Sequence, residues 1–266
     1  MKEFLSIKEF SKLSGIETTT LRYWDEIGLF SPAIRNPLNN YRCYSPGQVI
    51  AANFITVMSS LNVPLKEIAK VEDERNPASI MELIEQQEKF LDKEMMRLRE
   101  CYSIIHTRRE LINCGMKADE SKISVMKRDE TEIILGPPAE FGEDKAFYEP
   151  FMQFCRLAKD LRINLDFPIG GYFECMEDFL QAPGQPSCFF SLDPTGNKTW
   201  AGGEYLVGYA RGYYGELGDL PKRMAIYAQE NSLACFGPVY CTYLFDEICF
   251  KDPSQYLVQV AVLVNK

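Results

Sequence analysis

The stretch from Leu5 to Tyr44 carries the start and stop signals of two short helices, followed by a turn cluster and a short strand. Ser6 and Glu9 have the spacing of a capping box, in which each side chain bonds the backbone N–H of the other residue. Gly15 is the residue type that ends helices in a left-handed conformation. Two capped helices joined by a short turn around a glycine predict a helix-turn-helix.

The second helix of this pair has a polar face that is suited to DNA. We expect it to begin at Thr18 or Thr19 as the cap and to close at Gly28. Leu21 and Ile27 can face the core, while hydroxyl and guanidinium groups on the other side can meet phosphates and base edges in the major groove. The caps alone leave open an alternative, a helical hairpin in an unrelated protein.

A turn cluster and a short strand follow the two helices. Residues 36–40 contain three asparagines and a proline, and Tyr41, Arg42, Cys43 and Tyr44 then alternate as a strand. We expect this strand to show Arg42 on one face and the two tyrosines on the other. Helix, turn, helix and a small basic hairpin are the layout of a winged helix-turn-helix.

These residues resemble the MerR family of bacterial transcription regulators. The second helix of that family reads Leu-Arg-Tyr-Tyr with an acidic residue and an Ile-Gly-Leu exit, which stands here as Leu21–Leu29, and its wing reads Tyr-Arg-x-Tyr, here Tyr41–Tyr44. A following helix pair also fits, over Pro46–Leu61 and Val63–Ile68. Trp24 replaces the usual tyrosine, which keeps a ring and removes its hydroxyl. The resemblance implies a DNA-binding head.

Charge tests this interpretation, because DNA-binding surfaces are usually basic and this chain has a formal net charge of -9. Residues 1–75 hold nine Lys plus Arg and nine Asp plus Glu, so the head is neutral and its basic groups must cluster. Our candidates for DNA contact are residues of the two helices, the wing and the next helix pair: Lys12, Thr18, Thr19, Arg22, Tyr23, Arg35, Tyr41, Arg42 and Lys66.

A long amphipathic helix is predicted next. From Pro77 to Asn113 the sequence has no interior Gly or Pro, and a helix of that length spans about 50 Å. Apolar residues recur every seven positions and cannot all be buried in a small domain, so they predict a partner helix. The MerR resemblance implies an antiparallel coiled-coil homodimer; a helix packed on its own C-terminal domain is the alternative. The stripe consists of Ile84, Leu91, Leu98, Ile105 and Ile112, with Met95 and Tyr102 on the adjoining edge.

Gly115 is predicted to end this helix, and the chain beyond it differs in character. Residues 120–266 hold thirteen Lys plus Arg against twenty-one Asp plus Glu, so the acidity lies here. Short apolar runs alternate with helical segments, which predicts an α+β domain with an antiparallel sheet. The predicted strands are Ile123–Leu135, Gly171–Met176, Ser187–Asp193, Glu204–Arg211, Pro238–Phe245 and Tyr256–Val264, with helices near Lys145–Arg162 and Gly215–Gln229.

The C-terminal part resembles the GyrI-like effector-binding domain over Gly203–Tyr205, Gly212–Leu217 and Gly237–Tyr240. Head, helix and tail together resemble the multidrug-sensing activators of the MerR family. Aromatic residues, many of them tyrosines, concentrate in this part of the chain, and tyrosine is a poor choice for a pure core because each buried hydroxyl needs a partner. A cavity lined by rings and a few carboxylates suits a flat lipophilic cation, and the alternative is that most of these rings simply pack in the core. The expected lining residues are Tyr148, Tyr172, Glu174, Tyr205, Tyr209, Phe236, Tyr240, Cys241, Tyr243 and Tyr256.

One departure from those sensors puts the charge of the ligand in doubt. Where they carry an acidic residue after Val-Tyr, this chain has Cys241. Either another acidic residue supplies the charge, or the ligand is neutral, since an unpaired buried carboxylate is costly. The candidates for such a replacement are Glu174, Glu204, Asp246 and Glu247.

Three other functions stay open at this point. Metal or redox sensing would use some of the nine cysteines, but these form no CxxC pair and have no neighbouring histidine; Cys114 is the nearest to a family metal loop. A GyrI-like hydrolase would use Glu174 or Glu204 as acid and base. An inert tail would have no cavity. The single histidine, His106, lies within the long helix, so it is expected to be structural or solvent-facing and not to act in a catalytic triad.

The sequence thus predicts a DNA-binding domain at 1–75, a dimerisation helix at 76–116 and an effector-binding domain at 117–266. The resemblance implies a dimer that sits on a promoter with an overlong spacer and distorts it on ligand binding, so that RNA polymerase can engage. We expect no catalytic residue, metal or cofactor. The lack of a signal peptide or membrane-spanning run predicts a bacterial cytoplasmic protein without membrane association.

Overall fold

The computed structural model describes residues 3–74, 76–142, 148–160 and 163–265. The chain divides into two compact units, Met1–Arg97 and Leu98–Lys266. The longest helix, α5 (Pro77–Lys117), contributes to both. Among the described residues, no helix combines the length and the apolar character that crossing a bilayer requires.

The first unit is a helix-turn-helix with a three-stranded wing sheet. Strand β3 lies in the middle of the antiparallel order β1-β3-β2, so the wing is tied to the start of the first helix. The elements are β1 (Leu5–Ser6), α1 (Ile7–Ser14), α2 (Thr18–Glu26), β2 (Ile34–Arg35), β3 (Arg42–Tyr44), α3 (Gln48–Ser60) and α4 (Leu65–Glu74).

The ends of the two short helices follow local sequence closely, with one exception. The capping box at Ser6 and Glu9 is present, and Gly15 ends α1 at φ 73°, which confirms both predictions. The predicted threonine caps of α2 are wrong, because Glu17 is the N-cap and makes no side-chain cap bond. Thr18 and Thr19 are therefore residues of the first turn.

Aromatic rings fill the core of the first unit. The Phe10 and Tyr44 rings stack with centroids 4.7 Å apart, and Trp24 meets Phe30 edge-on at 6.2 Å. Trp24 is buried, and a tyrosine at this position would have a hydroxyl that water cannot reach. The indole ring therefore suits this position. Tyr41 precedes the strand and is 71% exposed, so it does not join Tyr44 in the core.

Helix α5 begins with local capping and runs further than the sequence suggests. Asn76 accepts the backbone N–H of Ser79 at 2.9 Å and Pro77 fills the first helical position. The prediction that Gly115 ends the helix is wrong, since α5 continues to Lys117. A Cβ at Gly115 would lie 2.8 Å from ring carbons of Phe245, so glycine here allows close approach instead of termination.

The second unit is built on an eight-stranded antiparallel sheet in the order β4-β9-β11-β10-β6-β7-β5-β8. Its strands are β4 (Ser124–Arg128), β5 (Thr131–Pro138), β6 (Ile169–Phe173), β7 (Cys188–Ser191), β8 (Lys198–Trp200), β9 (Gly203–Arg211), β10 (Ala234–Phe245) and β11 (Leu257–Asn265). The helices are α6 (Tyr148–Ala158), α7 (Met176–Gln181), α8 (Leu220–Glu230) and a 3-10 turn at Pro253–Gln255.

Several predicted elements of this unit need correction. The run Ile123–Leu135 is two strands, β4 and β5, and neither α7 nor β8 was predicted. Helix α8 begins at Leu220 and not near Gly215, because Gly218 has φ 54°, a left-handed conformation that is incompatible with a helix. Of the helix predicted near Lys145–Arg162, residues 145–147 and 161–162 lie outside the described residues.

Two apolar clusters occupy the two faces of the sheet. Side chains alternate along a strand, so neighbours on β10 belong to different clusters. Tyr240 belongs to one cluster together with Tyr172 and Trp200, whereas Cys241 belongs to the other cluster. This alternation decides which of the predicted ligand residues share a face.

Candidate functional site

The predicted DNA-contacting residues lie on the surface of the first unit. Arg22 and Tyr23 are exposed on α2, and Tyr41 is exposed before the wing strand. Lys12 on α1 and Lys66 on α4 are also exposed. Thr19 is exposed and Thr18 half-buried in the first turn of α2, and among the described residues no ion pair involves Arg22.

Asp25 joins the wing to the second helix. Its carboxylate oxygen Oδ2 accepts from Arg35 Nη2 at 2.6 Å and from Arg42 Nε at 2.5 Å. The Asp25 side chain is 4% exposed, while those of Arg35 and Arg42 are 42% and 26% exposed. The two arginines that were predicted to grip DNA therefore also hold β2 and β3 against α2, which orients the wing.

The second unit contains a cavity of about 350 Å³. A volume of this size suits a small organic molecule. Its walls are mainly apolar and aromatic, and come from α5, α6, β6, β7, β10, β11 and several loops. They include Arg108, Tyr148, Phe151, Cys155, Phe167, Gly171, Phe173, Phe189, Tyr214, Cys241, Tyr243, Asp246, Glu247 and Val258.

The interior part of the cavity is uncharged. Burial raises the pKa of the Cys241 thiol well above its usual value, and it raises the pKa of Cys155 as well. Both thiols are therefore protonated at neutral pH and behave as small apolar groups. Phe173 and Phe189 add rings to this region.

Charged groups gather at another part of the cavity wall. Arg108 of α5 forms an ion pair with Asp246, which directly follows β10. The hydroxyl of Tyr214 donates to the carboxylate of Glu247. Burial, followed by the hydrogen bond to Glu247, raises the pKa of Tyr214, so its hydroxyl stays a donor.

A cluster of tyrosine rings adjoins these acids. Tyr214 meets Tyr243 at 4.6 Å and Tyr256 at 5.6 Å between centroids, and Tyr148 lies 5.9 Å from Tyr213. Three of the predicted ligand residues, Tyr148, Cys241 and Tyr243, thus line the cavity. Tyr256 is not a lining residue, but its ring is a neighbour of the Tyr214 ring, which lines the cavity.

The other predicted ligand residues lie away from the cavity lining. Tyr172 and Tyr240 belong to the cluster on the opposite face of the sheet, as do Tyr205 and Tyr209. Phe236 is 44% exposed near the start of β10. They were predicted from ring content, without regard to the strand alternation that separates Tyr240 from Cys241.

A polar network surrounds that opposite cluster. Lys198 Nζ donates to the Tyr172 hydroxyl at 2.7 Å, and this hydroxyl donates to Glu174 at 3.2 Å. Arg128 lies over the Trp200 ring, with Cζ 3.5 Å from its centroid, and Trp200 stacks on Tyr240 at 3.9 Å. Glu174 is therefore engaged in this network, and neither it nor Glu204 lines the cavity.

Several cavity residues had no clear signal in the sequence. Arg108 lies in a helix that was predicted only for dimerisation, and Phe167 and Phe189 come from separate segments that the tertiary fold brings together. Tyr214 lies in Gly212–Leu217, one of the segments that resemble the GyrI-like domain, but it was not among the predicted lining residues. Among the described residues, no group of three metal-ligating side chains is assembled, and Cys114 instead accepts from Gln259 Nε2 at 3.5 Å.

The capped helix-turn-helix and its wing define a transcription regulator. Residues 6–44 match the family profile described as MerR family regulatory protein, so this head is a MerR family domain. The Multidrug-efflux transporter 2 regulator of Bacillus subtilis is 27% identical over 272 residues, covering 100% of this chain and 98% of that protein. The Multidrug-efflux transporter 1 regulator of the same organism is 40% identical over 74 residues, 27% of each chain.

One solved structure covers nearly the whole chain. The cryo-EM structure of an EcmrR–DNA complex covers 98% of this chain and 100% of that one, at 14% identity and a TM-score of 0.37. The sequence relatives are named as regulators, in agreement with the prediction that this chain is not an enzyme.

Proposed function

We propose that this protein is a ligand-responsive transcription regulator that binds promoter DNA as a dimer and responds to a lipophilic small molecule. The observation that carries the proposal is the presence, in one chain, of a MerR family head and a cavity of about 350 Å³ lined by aromatic rings. The name of its full-length relative, a regulator of a multidrug-efflux transporter, supports the same function.

The energetics of such a switch are consistent with a ligand of this kind. Bending a promoter site costs on the order of 1–6 kcal/mol, and a ligand bound with micromolar affinity contributes about 8 kcal/mol. The ligand can shift the DNA-bound state only by the difference between its affinities for two arrangements of the protein. We propose that this difference is used to untwist an overlong spacer so that RNA polymerase can engage both promoter elements.

The test is transcription in vitro with purified bacterial RNA polymerase from the promoter of the regulator's own gene. Aromatic cations and neutral lipophiles are added separately, and each compound is assayed for breakdown. We expect an intact compound to increase transcript yield. Transcription that is unchanged by every compound, with DNA binding retained, would contradict ligand control; consumption of a compound would favour hydrolysis.

Promoter binding should depend on Arg22. Its exposed side chain has no ion-pair partner among the described residues, so it is available for a phosphate or base. We expect Arg22→Ala to weaken promoter binding about tenfold and to reduce its salt dependence. The midpoint of thermal unfolding should not change. Lys222→Ala, an exposed charge removal in the second unit, is the control, and equal losses for both variants would contradict a specific role.

Dimerisation should depend on the exposed apolar residues of α5. Leu98 is 58% exposed, and Tyr102 and Ile105 are both 69% exposed, which is unfavourable for a helix without a partner. We expect Leu98→Glu to produce monomers in light scattering after size-exclusion chromatography. Met96→Glu, on another face of the same helix, should stay dimeric. A dimeric Leu98→Glu variant would place the interface elsewhere.

A further inference from the structure

Helix α5 has two different faces within the second unit. One face is exposed and apolar, and it is the surface for which we propose a partner helix. Another face packs against the sheet of its own chain, and its residues are three and four positions apart, which places them along one side of a helix. The exposed face consists of Leu98, Tyr102 and Ile105, and the packed face of Arg108, Leu111 and Gly115. One segment of helix can therefore contact both a partner and its own sheet.

Two contacts join the packed face to the end of strand β10. Arg108 forms an ion pair with Asp246, and their side chains are 24% and 13% exposed, so the pair is largely shielded from water. Two turns further along α5, a Cβ at Gly115 would lie 2.8 Å from ring carbons of Phe245, so the helix backbone lies directly against that ring. The helix and the end of the strand are therefore in contact over about 10 Å of helix.

The same end of β10 forms part of the cavity wall. Cys241 and Tyr243 lie on the strand, Asp246 directly follows it, and all three line the cavity, as does Arg108 itself. Strand β10 is paired with β11 on one side and with β6 on the other, so it is a stiff element of the sheet. Closely packed elements of this kind respond to a ligand by shifting as units, because a dense core does not deform continuously. A molecule in the cavity thus contacts a wall to which α5 is attached.

We propose that Arg108 is a positioning residue that couples occupancy of the cavity to the arrangement of the dimer through its ion pair with Asp246. The inference rests on the proposed function and names the route of its regulation. When a ligand shifts the wall, Arg108 holds α5 to it, and the exposed face of α5 moves relative to the partner helix. A largely buried ion pair suits this role, because it adds little net stability while the loss of either partner leaves an uncompensated charge.

The test measures how strongly an occupied cavity changes transcription. The variants are Arg108→Asp, Asp246→Arg and the double variant in which the two charges are exchanged. Asp246→Asn removes one charge with little change in shape and tests the same link where a reversed charge prevents folding. Lys117→Asp, the same charge change at an exposed position of α5 outside the cavity lining, is the control.

The readout is the ratio of transcript yield with and without saturating probe. The probes are (2-naphthylmethyl)trimethylammonium and its neutral isostere 2-neopentylnaphthalene, and naphthalene fluorescence establishes saturation for each full-length variant. Measurement at saturation separates coupling from affinity, since Arg108 and Asp246 line the cavity. A purely structural role lowers transcription by the same factor with and without probe, so it leaves the ratio unchanged.

We expect each charge reversal to lower this ratio at least fivefold, because two like charges then face each other between α5 and β10. Asp246→Asn should lower it at least twofold. The double variant should recover at least half of the native ratio, and Lys117→Asp should match the native protein.

Three results would contradict the inference. Native ratios in the single variants would overturn the coupling role of Arg108 and leave the proposed function in place. A lowered ratio that the double variant does not recover would overturn the ion pair as the link. A native protein whose transcription responds to neither probe would overturn the inference and count against the proposed function itself.

Discussion

Replacing Asp25 with alanine is expected to detach the wing and abolish most promoter binding. One buried oxygen of Asp25 accepts from both Arg35 and Arg42, so its removal leaves two guanidinium groups without their acceptor. We expect the free energy of unfolding to fall by about 2 kcal/mol, since both arginines keep partial access to water. DNA affinity should fall about tenfold or more, because the wing strand is no longer oriented.

The experiment needs a control for charge, since removing any acid near DNA reduces repulsion. Glu26 is the next residue on α2 and is exposed. We expect Glu26→Ala to bind promoter DNA as tightly as the native protein, or more tightly, with an unchanged unfolding midpoint. Tighter binding by Asp25→Ala would mean that this carboxylate acts as a repulsive charge and would contradict its anchoring role. Unfolding is followed by circular dichroism and DNA binding by fluorescence anisotropy at temperatures where both variants are folded.

Placing an acid at position 241 should have the second large effect. Cys241 is buried, so a carboxyl there would lose its hydration and its pKa would rise well above about 4.3. We expect Cys241→Glu to lower the free energy of unfolding at neutral pH by about 3 kcal/mol. Cys241→Gln has the same shape without a charge and measures the steric part.

The destabilisation caused by Cys241→Glu should increase with pH. Below about pH 3 the introduced carboxyl is protonated in both states, and the two variants should be equally stable. As pH rises, the unfolded chain ionises first and binds fewer protons than the folded one. The stability of Cys241→Glu therefore falls until the pH passes the raised pKa in the folded protein, then levels off. Urea unfolding at a series of pH values measures this; a constant difference between the variants would mean that position 241 is solvated.

Binding of an aromatic cation should reverse this loss. The new carboxylate would face the cavity, and a cation bound to the folded state stabilises it by mass action. The (2-naphthylmethyl)trimethylammonium probe should raise the unfolding midpoint of Cys241→Glu more than that of Cys241→Gln. Its neutral isostere, 2-neopentylnaphthalene, should raise the unfolding midpoints of the two variants equally. A larger effect of the neutral compound on Cys241→Glu would contradict a shared location for residue 241 and the ligand.

The head was predictable because its determinants are local. Ser6 and Glu9 are three residues apart, and Gly15 is needed for a left-handed backbone, so each signal acts within one turn of chain. The predicted threonine cap of α2 is wrong because the packing of Leu21 and Trp24 in the core holds that helix without a side-chain cap. Residue spacing alone could not show that Ser6 caps α1 whereas no threonine side chain caps α2.

The cavity contains only some of the residues that the sequence predicts for a ligand site. The predicted residues Tyr148, Cys241 and Tyr243 line it, whereas Tyr172 and Tyr240 lie on the other face of the sheet. Alternation along β10 would have separated Tyr240 from its neighbours, had the strand register been used. The contribution of Arg108 could not be seen, since its partner is 138 residues away in the chain.

The sequence by itself determined the helix-turn-helix, the long helix and the antiparallel character of the second unit, because caps, periodicity and alternation act over a few residues. Only the tertiary structure decided which groups meet. In the folded chain, Arg35 and Arg42 donate to a buried oxygen of Asp25. Asp246 forms an ion pair with Arg108, whereas Glu247 accepts a hydrogen bond from the Tyr214 hydroxyl. Burial and ion pairing depend on contacts between distant segments, and these set the charge of a site.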